Sequence, residues 1–141
     1  MADTQTGTSA SQSEAAAPPV SAMAMLAPAL AWLVPGAGHF VQKKWVRGLL
    51  LMLSVAAMFA FGIAMQGKVY RANTGDLLDI LGFVSDLGAG ALYILARAFD
   101  WGGTAIAFAT ADYGTKFIAV AGLLNIISAV DAYHIAIGRK P

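Results

Sequence analysis

The chain has 141 residues, of which 58% are hydrophobic and only 12% charged; its mean hydropathy is +0.66 and its formal net charge +1. That length accommodates one domain, and the charge is half of the ~25% usual in soluble domains. Composition therefore argues against a water-soluble globular enzyme and against disorder beyond the N-terminal tail, leaving a small integral membrane protein.

The basic residues are few and scattered, and the pI is near 8.0, so no nucleic-acid partner is expected. Cysteine is absent, which excludes disulfides, thiolate metal sites and iron–sulfur ligation. With only His39 and His134, a multi-histidine metal site within one chain is excluded too.

Residues 1–19 are rich in Ser, Thr, Gln, Ala and Pro and read as a disordered tail. The remainder, 20–141, reads as a single helical membrane domain. Val20 to Gln42 carries no Asp, Glu, Lys or Arg, but Pro35-Gly36 stops its helix early. At 1.5 Å per residue such a helix covers about 22 Å, short of a ~30 Å hydrocarbon core. A first span over about 20–40 thus needs the following turn to dip into the membrane. Pro28 adds a mild kink.

A second span, about 48–66, is uncharged and long enough to cross, with Trp45 at headgroup level. Ala56, Ala60 and Ala64 recur every four residues along it and offer a flat strip for helix approach. Residues 67–116 read as an external loop that contains one amphipathic or re-entrant helix, Leu77 to Phe99. Asp76, Asp79 and Asp86 occupy its first half and fit a solvated face. A third span runs over about 117–137 and ends in Gly138-Arg139-Lys140. The expected fold is all-α, with three transmembrane helices.

With three spans, Lys43, Lys44, Arg47, Arg139 and Lys140 fall on one side, against four bases and seven acids on the other. The positive-inside rule then puts the C-terminus in the cytoplasm and the N-terminus outside a bacterial inner membrane.

The sharpest motif is Pro35-Gly36-Ala37-Gly38-His39-Phe40, followed by Lys43, Lys44, Arg47 and Gly48. Here the chain resembles the TM2-type membrane module, whose short first helix passes through a Pro-Gly-x-Gly-x-Phe turn into a second. Val41 and Lys43 stand where that module has Tyr and Gly. The turn, together with Tyr113-Gly-Thr, Ala121-Gly-Leu-Leu-Asn125 and Asp131-Ala-Tyr-His134, is also similar to an uncharacterised family of small bacterial membrane proteins. Those resemblances imply an architecture and no reaction.

On the last span Asn125, Ser128 and Asp131 are spaced three apart, a polar stripe of the kind that faces protein. An intramembrane acid invites a proton-relay or cation-site reading; packing and anchoring near the helix end is the simpler one, and His134 can pair with Asp131. His39 and His134 are the weak candidates for a pigment or haem ligand. No intrinsic cofactor is expected, only lipids or pigments at a complex interface. Trp32, Trp45, Trp101 and Tyr133 read as interfacial anchors. No nucleophile elbow, phosphate loop, zinc motif or dinucleotide fingerprint occurs. The expected function is a non-catalytic accessory or scaffold subunit of a larger membrane complex, photosynthetic or respiratory assemblies being examples. The alternative is a small homo-oligomeric transporter or channel that uses Asp131 and Asn125.

Overall fold

A computed structural model describes residues 21–72, 75–103, 106 and 108–141; the tail expected over 1–19 lies outside them. The described residues are helical, apart from turns and one isolated bridge between Lys68 and Gly103.

Helix α1, Ala22–Leu33, ends because Pro35 disfavours helical backbone at Val34, which is extended. Gly36 then adopts φ +80°, and a Cβ there would collide with the Gly48 carbonyl, so the turn requires glycine. After it come α2, Ala37–Val41, and α3, Trp45–Ala64. Helix α4, Leu77–Leu87, starts where the Asp76 side chain accepts from the Leu78 amide. The chain bends by 110° before α5, Ala91–Ala98. Gly90, at φ +60°, makes that bend and lies so close to the Trp32 carbonyl that no side chain fits. Helix α6, Ala109–Ala136, closes the fold.

Two helices, α3 with 20 residues and α6 with 28, are long and apolar enough to cross a membrane. At 1.5 Å per residue they measure about 30 and 42 Å. They run antiparallel in close contact. Gly62 meets Gly114 and Ile118 at one end, and Arg47 reaches Asp131 at the other. Glycine at the crossing lets the backbones approach, and van der Waals packing then joins the two apolar helices. Around this pair Val55, Phe59, Val69, Ala89, Tyr93 and Ile118 form part of the main core, while Ala27, Ala31 and Ala132 form a second cluster.

Helix α1 does not run the length of the molecule. It packs antiparallel to α6, with Ala27 and Ala31 against Ala132, and its Trp32 carbonyl is reached by Asn125, near the middle of α6. The chain then doubles back through α2, whose His39 meets Asp131, and Gln42 donates to the Ala132 carbonyl at 2.9 Å. This is a hairpin that starts and finishes at the C-terminal end of α6.

The second hairpin comes from the opposite end. Helix α4 runs parallel to α6, with Ser85 Oγ donating to the Ala119 carbonyl at 2.8 Å and the Gly88 carbonyl reached by Asn125. Helix α5 then returns. Its Tyr93 hydroxyl donates to the Tyr70 carbonyl, and the Gly103 amide beyond it donates to the Gly67 carbonyl. The two tips meet, since the Trp32 indole N–H donates to the Leu87 carbonyl at 3.2 Å.

Several expectations are corrected here. The segment expected as a first span over 20–40 is a hairpin of two short helices, α1 and α2, because Pro35-Gly36 turns the chain back. Ser21, the first described residue, therefore lies at the same end as Arg139. The amphipathic helix expected over Leu77 to Phe99 is two helices broken at Gly88-Ala89-Gly90. The last helix begins at Ala109, well before 117. On α3 the buried face is Gly48, Val55, Phe59 and Gly62; Ala60 and Ala64 of the alanine strip are exposed, and Ala56 is half-buried.

Candidate functional site

The polar stripe of α6 is where the structure concentrates its chemistry. Asn125 and Ser128 are fully buried, with Asp131 one turn further toward the C-terminus and about one-fifth exposed. Their three-residue spacing on a helix puts them on one face, and that face is covered by both hairpins.

At the hairpin tips, Asn125 Nδ2 donates to the Trp32 carbonyl at 2.8 Å and to the Gly88 carbonyl at 2.9 Å. Both acceptors belong to helix C-terminal turns, whose last carbonyls have no partner within their own helix. One amide thus satisfies one orphan from each hairpin, and neither of its hydrogens is left over. Asn125 Oδ1 and Ser128 Oγ are buried without a protein partner.

Three residues later, one carboxylate gathers three nitrogens. Asp131 Oδ2 accepts from His39 Nε2 at 3.1 Å and from Arg47 Nη1 at 3.4 Å, and Oδ1 accepts from Lys140 Nζ at 2.7 Å. His39 is fully buried, with Nδ1 facing the interior unpartnered. The partners come from α2, α3 and the C-terminal segment, so Asp131 ties the first hairpin, one long helix and the chain end together. Two full positive charges against one carboxylate leave this cluster cationic.

The structure places Asn125, Ser128 and Asp131 along one face of α6, the first two fully buried. Sequence spacing pairs Asp131 with His134, but His134 lies beside the carboxylate without bonding to it. The true partners are His39 and Arg47, 92 and 84 residues away, and Lys140, nine residues on. One signal was available: an acid late in an apolar helix needs a donor, and His39 is the one ionisable side chain in the uncharged N-terminal stretch. The turn residues Pro35, Gly36 and Gly38 place that histidine. A Cβ on Gly38 would press on Ala31 and Ala132, so the small residue lets α2 sit against both α1 and α6.

The acids Asp76, Asp79 and Asp86 do not form a cluster. Asp76 caps α4, Asp79 pairs with Lys68 at 3.0 Å, and Asp86 is buried, accepting from the Tyr70 amide at 2.8 Å. The expected solvated face fails at Asp86 because the segment after α3 folds over it. The Trp32 indole, expected as an interfacial anchor, donates across the hairpin junction to the Leu87 carbonyl. Trp45, at the start of α3, is two-thirds exposed. Among the described residues no group of three or more His, Cys, Asp and Glu side chains is arranged to hold a metal ion.

Comparison with curated proteins and with solved structures finds no match for the chain. The sequence profile of a family of unknown function, DUF6677, matches residues 26–141, which is most of the chain, and the protein belongs to that family.

Proposed function

We propose that the protein is a non-catalytic, membrane-embedded accessory or scaffold subunit of a larger membrane complex. The observation that carries the reading is how the interior polar groups are used. Asn125 spends both hydrogens on two backbone carbonyls, and Asp131 spends both oxygens on three nitrogens of its own chain. Such groups specify how segments dock, and they give the surrounding helices one fixed arrangement.

Lipid is the proposed solvent of α3 and α6, whose outward faces carry Leu49, Leu50, Leu53, Phe61, Val120 and Ile127 in the open. The proposed location is a bacterial cytoplasmic membrane. Lys43, Lys44, Arg47, Arg139 and Lys140 share one end with Asp131. The other end has Lys68, Arg71, Arg97 and Lys116 against five aspartates, Asp76, Asp79, Asp86, Asp100 and Asp112. The positive-inside rule turns the first end toward the cytoplasm. The Pro35-to-Phe40 turn is proposed to work as it does in a TM2-type module, joining a short helix to a full-length one.

Purification from native membranes in a mild detergent, followed by mass spectrometry, tests the reading. It expects stoichiometric membrane subunits to co-purify. A monodisperse monomer with no companion protein contradicts it.

A second reading, a homo-oligomeric transporter or channel using Asp131 and Asn125, is favoured by one feature. Interrupted helices that meet inside the bilayer recur at substrate and ion sites of transporters. Liposome flux with the parent and with Asp131→Asn decides it: no flux in the parent, or flux unchanged in the variant, ends this reading.

A further inference from the structure

We propose that the groove between α3 and α6 at the cation-rich end binds one anionic phospholipid. Its phosphate docks on Arg47 and Lys140, and an acyl chain lies along Leu50, Ile127 and Val130. The inference rests on the membrane reading above and adds a ligand to it.

The groove has a volume of about 520 Å³ and opens to the outside. Its rim holds Arg47, His134 and Lys140 around Asp131. Below the rim the walls are apolar, and Leu50, Ile127 and Val130 are 60%, 63% and 49% exposed. Charge at one end and an uncovered hydrocarbon-lined trough beneath it match the two halves of a phospholipid.

The electrostatics favour an anionic head. Asp131 holds Lys140 at 2.7 Å and Arg47 at 3.4 Å on its two oxygens, so the two cations stand on either side of one carboxylate. Two positive charges against one negative leave the rim net positive. Each cation keeps N–H donors beyond the one given to Asp131, and a guanidinium fork suits phosphate oxygens. Arg47 and Leu50 also line an adjoining groove of about 600 Å³ with Lys43, Lys44 and Trp45, which extends the same positive rim and supplies an aromatic ring at headgroup level. By contrast, the groove along Ala56, Ala60 and Ala64, about 380 Å³, is lined by Phe59, Leu92 and Trp101 and has no cation. Among these grooves, cations line only the two that share Arg47.

The test titrates the detergent-purified full chain with phosphatidylglycerol and with phosphatidylcholine of identical chains, read by native mass spectrometry. A cation near an anionic lipid surface is worth about fivefold in affinity, so two give a preference of about 25-fold for phosphatidylglycerol. Arg47→Gln and Lys140→Gln each lower phosphatidylglycerol binding about fivefold and lower phosphatidylcholine, whose phosphate is offset by its own cation, by less, whereas Lys68→Gln changes neither. Arg47→Lys keeps most of the preference, which separates lost charge from misfolding. Ile127→Trp, which fills the trough without touching charge, weakens both lipids. Equal binding of the two lipids by the parent, an unaltered preference in the Arg47→Gln/Lys140→Gln double variant, or complete displacement by inorganic phosphate overturns the proposal. Recovery of the untagged protein in the aqueous fraction of lysed cells would instead remove the membrane reading beneath it.

Discussion

Replacing Asn125 by Leu probes the junction of the two hairpins. The side chains share one branched outline, but Leu is the larger, so the change removes two hydrogen bonds and also crowds a fully buried site. What remains are the Trp32 and Gly88 carbonyls, the second of them buried, at helix ends and without that donor. Interhelical side-chain hydrogen bonds in membrane proteins average about 0.6 kcal/mol and reach about 1.7. Two of them give a loss of about 1–3 kcal/mol for Asn125→Leu. Asn125→Asp is predicted to be worse, about 3–5 kcal/mol, because it sets an uncompensated negative charge against two carbonyl dipoles. Reversible unfolding in mixed micelles reads the total. Hydrogen exchange reads the location: amides of Gly88, Ala89 and Gly90 should exchange about 5- to 150-fold faster in Asn125→Leu, while those in the middle of α3 follow the global stability alone. A variant within about 0.3 kcal/mol of the parent, with unchanged exchange at both tips, would refute the reasoning, since two such bonds average about 1.2 kcal/mol.

Other substitutions test the remaining joints. Asp131→Asn removes the negative charge and one of the two acceptor oxygens that serve His39, Arg47 and Lys140, and is expected to cost about 1–3 kcal/mol and to make the C-terminal segment sensitive to limited proteolysis. Gly36→Ala combines a left-handed backbone with a collision at Gly48, so a loss above about 2 kcal/mol or failure to accumulate is expected. Gly138→Ala has the same kind of φ, +74°, with nothing within 4 Å, and is the matched control at about 1 kcal/mol. Ser85→Ala deletes the hydroxyl bond to the Ala119 carbonyl and should loosen α4 by about 0.5–1.5 kcal/mol, measured in the same micelle titration.

Local chemistry was legible in the sequence, and long-range direction was not. Leu- and Ala-rich runs fixed α3 within a few residues, and Pro35-Gly36 marked the first turn. The Asn125–Ser128–Asp131 spacing marked the face of α6 that meets protein. What periodicity along one segment cannot contain is which way that segment lies against another. Helix α1 was short enough to be suspect, yet only its contacts with Ala132 and Asn125 show that it turns back. The break at Gly88-Ala89-Gly90 had a visible signal, two glycines one residue apart, which the apolar spacing running through Leu87 and Leu92 concealed. Asp86 was unreadable because the donor that buries it, the Tyr70 amide, is backbone from outside the helix.

Since the chain has no cysteine, single cysteines can report its topology directly. The central claim is that two full-length helices cross a bilayer while both hairpins turn back inside it. Ser21→Cys and Arg139→Cys should then label from one face of sealed vesicles, and Ala72→Cys and Asp100→Cys only from the other. Labelling of Ser21→Cys and Arg139→Cys from opposite faces would contradict the account, because α1 would then have to cross.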